Sequence, residues 1–429
     1  MMIVSFVCAF IIGILCVAPP EILNASSNIS DSLGATYETF KGNYAIPMMV
    51  NSFLWLFLVV ISSLLMLFLV FQSKLDRILK FLMVYILIGC FFSQIPYFSF
   101  NALILLSVTM CFFLLLKECD FSILINMAQA VFWVEIIFAA VHFVGKDTLM
   151  NFGRPEPVFF GTILQHMRFA SLMCILSPIV LLKSKWYIIP ICGAVVLTTS
   201  AGFALAVAFG VTVYLLLSYK GFRALIYTLG VALAVACFIV FVNNDSFKVA
   251  LRDGRLPVWW VCLKSWVLDT RAPMGTPDIF GISQTGPFDA KAFLFGHGLD
   301  TFYNLFPAYK HDANPFPQAH NDWIQFAWEI GLVGFCLISA YSISLIKKLY
   351  ALKEYVLISG LSMIAVNMFF HFPTRMTQTV LLIVFYVAYC EKVIEWGFVR
   401  EVASDTQDSW WRRFVRKHIL YVEKSAIQD

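Results

Sequence analysis

One histidine, His320, stands where a polar stretch turns into a long apolar one, in the run Pro317-Gln318-Ala319-His320-Asn321-Asp322-Trp323-Ile324-Gln325-Phe326-Ala327-Trp328-Glu329-Ile330-Gly331-Leu332-Val333-Gly334. Asn321 or Asp322 is a natural N-cap for the helix that this apolar run predicts. His320 then sits at the positive end of a helix dipole, a place that favours anions and disfavours a second positive charge. A neutral imidazole beside a bound anion has the chemistry of a general base. Arg255, in Arg255-Leu256-Pro257-Val258-Trp259, is a cation in the same polar segment. A guanidinium stays charged and offers a fork of donors suited to phosphate oxygens. Between the two lies a glycine-rich turn, Phe295-Gly296-His297-Gly298-Leu299-Asp300-Thr301-Phe302. Its glycines allow backbone to approach a ligand or a facing helix. No Asp-x-Asp pair marks a divalent-ion site in this segment, so the reading is metal-independent and takes no cofactor.

The elements that must hold these residues follow from composition. Of 429 residues 60% are hydrophobic and only 13% charged, and the net charge of +4 carries no nucleic-acid signal. Continuous apolar runs of about 18 residues or more recur along the chain, each long enough for a hydrocarbon core of roughly 30 Å. They do not alternate, which excludes a β-barrel. The expectation is an all-α polytopic membrane protein with about twelve transmembrane helices and one large periplasmic loop containing short helices. The expected spans are Met2–Val17, Ile46–Phe71, Phe81–Phe92, Phe98–Leu116, Phe121–Val144, Gly161–Leu182, Trp186–Leu197, Ala201–Leu217, Ala224–Val242, Trp323–Leu345, Tyr355–Phe370 and Thr379–Trp396.

Three zones result: membrane helices over 1–242, a loop over 243–322 that caps the bundle and carries the chemistry, and membrane helices over 323–396. A basic, aromatic tail over 397–429, with Trp410-Trp411-Arg412-Arg413, suits the cytoplasmic membrane surface. Lysines and arginines concentrate in alternate short loops (Lys74, Arg77 and Lys80, then Lys117, then Lys183 and Lys185, then Lys220 and Arg223, then Lys347, Lys348 and Lys353). By the positive-inside rule those loops and both termini are cytoplasmic, and the large loop faces outward. The eleven cysteines lie almost all in or beside apolar runs, with only Cys262 in the loop, so they read as small hydrophobes and no disulfide framework is expected.

Three pieces of the loop resemble, in order, the O-antigen ligase and polymerase superfamily of bacterial membrane glycosyltransferases. Arg255 to Trp259 is similar to its Arg-x-x-x-Trp segment. Gly296 to Phe302 is similar to its glycine-rich turn. His320-Asn321, nine residues and Gly331 are similar to its His-Asn-x9-Gly pattern. The resemblance extends over about 186–340. One departure stands out: the family carries an arginine in the turn that here reads Thr198-Thr199-Ser200-Ala201-Gly202. Arg168 within an apolar run, Arg154 in a short outer loop and then Arg375 are the candidates for the missing cation.

The resemblance implies transfer of a glycan from an undecaprenyl-diphosphate carrier to an acceptor hydroxyl on the periplasmic face of the bacterial inner membrane. The foremost reading is an O-antigen ligase, with a lipid A-core acceptor. A polymerase of the same superfamily, a protein O-oligosaccharyltransferase and a lipid-linked-sugar transporter are the alternatives. In the enzyme reading His320 is the base and Arg255 holds the diphosphate. Asn321, Arg168, Arg154, Gly296, Gly298 and Trp259 bind substrate or line the site, and Gly331 and Gly334 allow close helix packing below it.

Overall fold

The structure, a computed structural model, describes residues 2–17, 45–72, 75–145, 166–198, 200–219, 255–268, 287–306 and 319–405, with residues 221 and 230. Among these the chain is almost wholly helical and contains no strand; an isolated bridge joins Leu268 and Phe288. The helices are α1 (Met2–Val17), α2 (Ala45–Val70), α3 (Arg77–Phe92), α4 (Pro96–Lys117), α5 (Phe121–Gly145), α6 (His166–Lys183), α7 (Ile188–Thr198) and α8 (Ala201–Ser218). After these come α9 (Arg255–Val267), α10 (Ala290–Phe295), α11 (Phe302–Leu305), α12 (Asp322–Ala351), α13 (Tyr355–Phe370) and α14 (Thr377–Asp405), with a 3₁₀ turn over Pro373–Arg375.

Helices α1–α8 and α12–α14 overlap expected apolar runs, although α14 extends nine residues past the expected end at Trp396, and α9, α10 and α11 are short helices within 243–322. Three are long and apolar enough to cross a membrane: Pro96–Lys117, Phe121–Val144 and Asp322–Ala351. Shorter apolar helices include Leu56–Val70, Gly202–Ser218 and Tyr355–Phe370. The expected span Ala224–Val242 apart from Gly230, the short loop holding Arg154, the stretch 269–286 and the tail from 406 lie outside the described residues.

Helix α6 is the centre of the bundle. Phe169, Leu172, Met173, Ile175, Leu176, Ile179 and Val180 are all fully buried, among α5, α7, α8, α13 and α14. Burial on every face is what an apolar helix without a polar stripe requires. Beside it, α8 packs along α13 so closely that Gly210 has no room for a side chain against Met363. Local starts follow capping chemistry. Asp76 accepts from Ile78 N, Ser200 from Phe203 N, Asp289 from Ala292 N and Asn321 from Ile324 N. One buried ion cluster fastens the bundle: Lys117 Nζ lies 2.8 Å from Glu391 and 2.6 Å from Glu395, and Tyr341 donates to Glu391 at 2.6 Å. It joins α4, α12 and α14.

The span expected to begin at Trp323 is not one continuous helix. At Gly331 the backbone takes φ 66°, ψ −176°, a conformation open essentially to glycine alone, and α12 breaks there. The break frees carbonyls that a continuous helix would pair. His297 N donates to Trp328 O at 3.1 Å and Gly298 N to Glu329 O at 2.9 Å. Tyr85 Oη of α3 donates to Ile330 O at 2.6 Å. The glycine-rich turn thus caps the interrupted helix. Gly296 (φ 77°) and Gly331 meet backbone to backbone, and a β-carbon on either would overlap main-chain atoms of the other. Gly331 therefore serves a helix break, where the sequence suggested only close helix packing.

Candidate functional site

The site is assembled on three consecutive residues, Phe370-His371-Phe372, where the chain leaves α13. Arg255, the first residue of α9, donates from Nη1 to Phe370 O at 2.6 Å. The His320 ring meets the Phe372 ring edge-on, with centroids 4.8 Å apart. Between them His371 lies against the start of α8; a β-carbon on Gly202 would stand 2.7 Å from His371 Nε2. One turn back, Asn367 Nδ2 donates to Ser171 Oγ at 2.8 Å, which ties this end to the first turns of α6, where Arg168 sits. The capped starts of α8 and α12 therefore lie at the end of α13, and Ser171 of α6 and Arg255 of α9 reach the same end. Helix N-termini carry partial positive charge and unpaired N–H groups, so this convergence favours a bound anion.

His320 immediately precedes the cap Asn321 and has φ 54°, the left-handed conformation that few non-glycine residues adopt. Burial, and then the nearby Arg255 guanidinium, push its imidazole down to about 4. The ring is neutral near pH 7, and the two residues separated by most of the loop feel each other's charge. Burial also works against the charge of Arg255, whose bond to Phe370 takes one of the five donors a guanidinium carries.

The remaining expectations divide. Asn321 is the helix cap: its Oδ1 accepts from Ile324 N at 3.1 Å. Arg168 is half-buried near the site and its Nε finds no hydrogen-bond partner. Trp259, expected among the substrate-binding residues, gives its Nε1–H to Ala319 O at 2.8 Å and packs on Phe369. Gly296 and Gly298 serve the facing helix break. Arg375, the third candidate for the missing cation, is engaged by Asp300 and Glu329 at 2.6 Å each. Burial opposes its charge, but these two carboxylates outweigh that and hold its ionisation above the ordinary arginine value. Arg154 lies outside the described residues.

Buried polar atoms concentrate unpaired at this end. Among the described residues Arg168 Nε, Asn321 Nδ2, Asn367 Oδ1 and Arg375 Nε have no hydrogen-bond partner. Unsatisfied buried polar groups are uncommon and costly, and a cluster of them marks a functional site. Sequence reasoning overlooked the Phe370–Phe372 strap and the acidic residues around Arg375. The available signal was Glu329, an acid inside a membrane-length apolar run. It is fully buried, accepts from Gln325 Nε2 at 2.9 Å and from Asp300 N at 3.0 Å, and so binds the glycine turn to the His320 helix. Among the described residues no three His, Cys, Asp or Glu side chains are grouped to hold a metal ion.

Among the described residues the architecture defines the class as a helical chain with three helices long and apolar enough to cross a membrane and a buried, cation-bearing polar site at the joined helix ends. A scan against protein-family models finds no match, and a search of curated proteins finds none.

Proposed function

We propose that this chain is a multi-pass glycosyltransferase of the bacterial inner membrane, of the O-antigen ligase type. It joins a glycan carried on undecaprenyl diphosphate to a hydroxyl of a lipid A-core acceptor at the periplasmic face. The observation that carries this reading is the meeting of Arg255 and His320 on the strap Phe370–Phe372, among converging helix starts. In this reading about twelve helices span the bilayer and both termini are cytoplasmic. The segment of α12 after Gly331, about twenty residues and roughly 30 Å long, crosses the bilayer, and the short half before it holds His320 at the surface.

The chemistry follows from the charges. The bond between the anomeric carbon and the diphosphate oxygen breaks, and negative charge collects on that oxygen. Arg255, the helix N-termini and Arg168 stabilise it; aimed at developing charge, such donors contribute several kcal/mol. The acceptor oxygen forms the new bond to the anomeric carbon while His320 takes its proton, a contribution of roughly 10²–10⁴-fold. A bound diphosphate also offsets the Arg255 field at His320, so the imidazole becomes a stronger base once the donor is seated. Purified protein given undecaprenyl-diphosphate-linked glycan and lipid A-core tests the proposal. Glycan-bearing core is the expected product. Glycan chains lengthened on the carrier, with the core left bare, would instead assign the polymerase activity.

A further inference from the structure

Helix α9 is tied to the His320 half of α12 at two levels. Near the site, Trp259 Nε1 donates to Ala319 O at 2.8 Å; Trp259 lies one turn from Arg255, and Ala319 is the neighbour of His320. Farther along, Trp328 Nε1 donates to Ser265 Oγ at 2.9 Å, and His297 Nε2 stands 3.1 Å from Ser265 O, so that it donates there. The His297 ring stacks on Trp328 with centroids 4.1 Å apart, and its Nδ1 accepts from Gln94 Nε2 at 2.9 Å. A proton on Nε2 with Nδ1 accepting is the neutral tautomer, satisfied on both sides. Around this knot Cys262, Phe302 and Phe306 are fully or almost fully buried.

The two ties run in the same direction along both helices, so α9 and the half-helix lie side by side with Arg255 and His320 at the same end. Trp259 and Ser265 are about 9 Å apart along α9 at 1.5 Å per residue, enough separation for two ties to resist both tilt and slide. Two helices held at one point pivot; held at two, they keep their end-to-end spacing.

We propose that Trp259 and the Ser265–His297–Trp328 knot form a two-point brace whose task is to set the separation between Arg255 and His320. The inference rests on the reading of those two residues as clamp and base. Trp259, His297 and Trp328 are then positioning residues, and the indole of Trp259 acts as a strut, with its donor committed to Ala319.

Among the described residues the charged and titratable groups at this end are Arg255 on α9, Asp322 and Glu329 on α12, Arg375 with its partner Asp300, His371 on the strap and Arg168 on α6. Arg375 is matched by its carboxylates, whereas among the described residues Arg255 bonds the carbonyl of Phe370, and its field at His320 depends on distance. The test is residue-resolved carbethoxylation of His320 against pH, read by peptide mass spectrometry on detergent-purified full-length protein. This reports the imidazole whether or not the protein transfers glycan, so failure of the transfer assay and failure of the brace are separate results. Arg255→Gln sets the size of the shift on losing the guanidinium. Trp259→Phe, which keeps a ring on Phe369, and Trp328→Phe, which removes the donor to Ser265 together with part of the buried ring, should each raise the midpoint by part of that shift, and together by most of it. If the double variant stays folded with the wild-type midpoint, the brace does not set the spacing. A fall in thermal stability without a midpoint shift in the single variants would likewise reduce these residues to ordinary packing.

Discussion

Replacing Gly331 by alanine probes the helix break directly. Alanine at φ 66°, ψ −176° is strained by about 1–3 kcal/mol. Its β-carbon would also overlap Gly296 N and Leu294 O, which are main-chain atoms and cannot rotate away. The turn must move off, and the carbonyls of Trp328 and Glu329 lose the N–H groups of His297 and Gly298. Each buried acceptor left unpaired costs about 1–3 kcal/mol. The total is roughly 3–9 kcal/mol, against which the better helix propensity of alanine returns only about 1 kcal/mol. That is a large share of a typical stability of about 5–15 kcal/mol. Gly193→Ala in α7 is the control, since nothing lies within 4 Å of its added β-carbon. Tryptophan fluorescence during heating in detergent should show an unfolding midpoint lower by several degrees for Gly331→Ala and unchanged or higher for Gly193→Ala. Transfer activity should fall with the first, because the half-helix carrying His320 is held by that break. A Gly331→Ala protein melting within a degree or two of wild type, with normal turnover, would refute the reasoning.

Other outcomes follow from the same geometry. His320→Ala should abolish glycan transfer while the protein inserts at normal levels, judged by immunoblot of washed membranes beside a radiolabelled transfer assay. Arg255→Lys should lower turnover by about tenfold or more, because an ammonium cannot both bond Phe370 O and offer a fork to the diphosphate. The pH dependence has a definite sign. With His320 held down to about 4, only about 1% of it is protonated at pH 6, where an ordinary imidazole would be about three-quarters protonated. The base should therefore stay active as pH falls from 7 to 6. Its contribution to stability, present above the ordinary imidazole value, is lost as pH drops from about 6.5 through 4. A kcat/KM profile, which reports the free enzyme, already halved at pH 6.5 would contradict the buried, cation-flanked histidine.

Much was legible in the chain itself. Continuous apolar runs dictate helices wherever they occur, because each backbone N–H and C=O can be paired within the segment. The N-cap at Asn321, the helix that follows it and the chemical promise of His320 and Arg255 could be read from residue type and neighbourhood, since capping and dipole effects act within one turn. The glycines at 296, 298 and 331 were visible as points of close approach. Their mutual contact was not, because nothing local says that one broken helix is capped by a distant turn. The same reason hid the pairing of Arg375 with Asp300 and Glu329, the bond of Trp259 to Ala319 and the strap Phe370–Phe372. Local sequence determined which segments became helices and which side chains could carry charge or a proton. Only tertiary packing decided which of those side chains meet, because partners distant along the chain are selected by shape and by the cost of leaving buried polar groups unpaired.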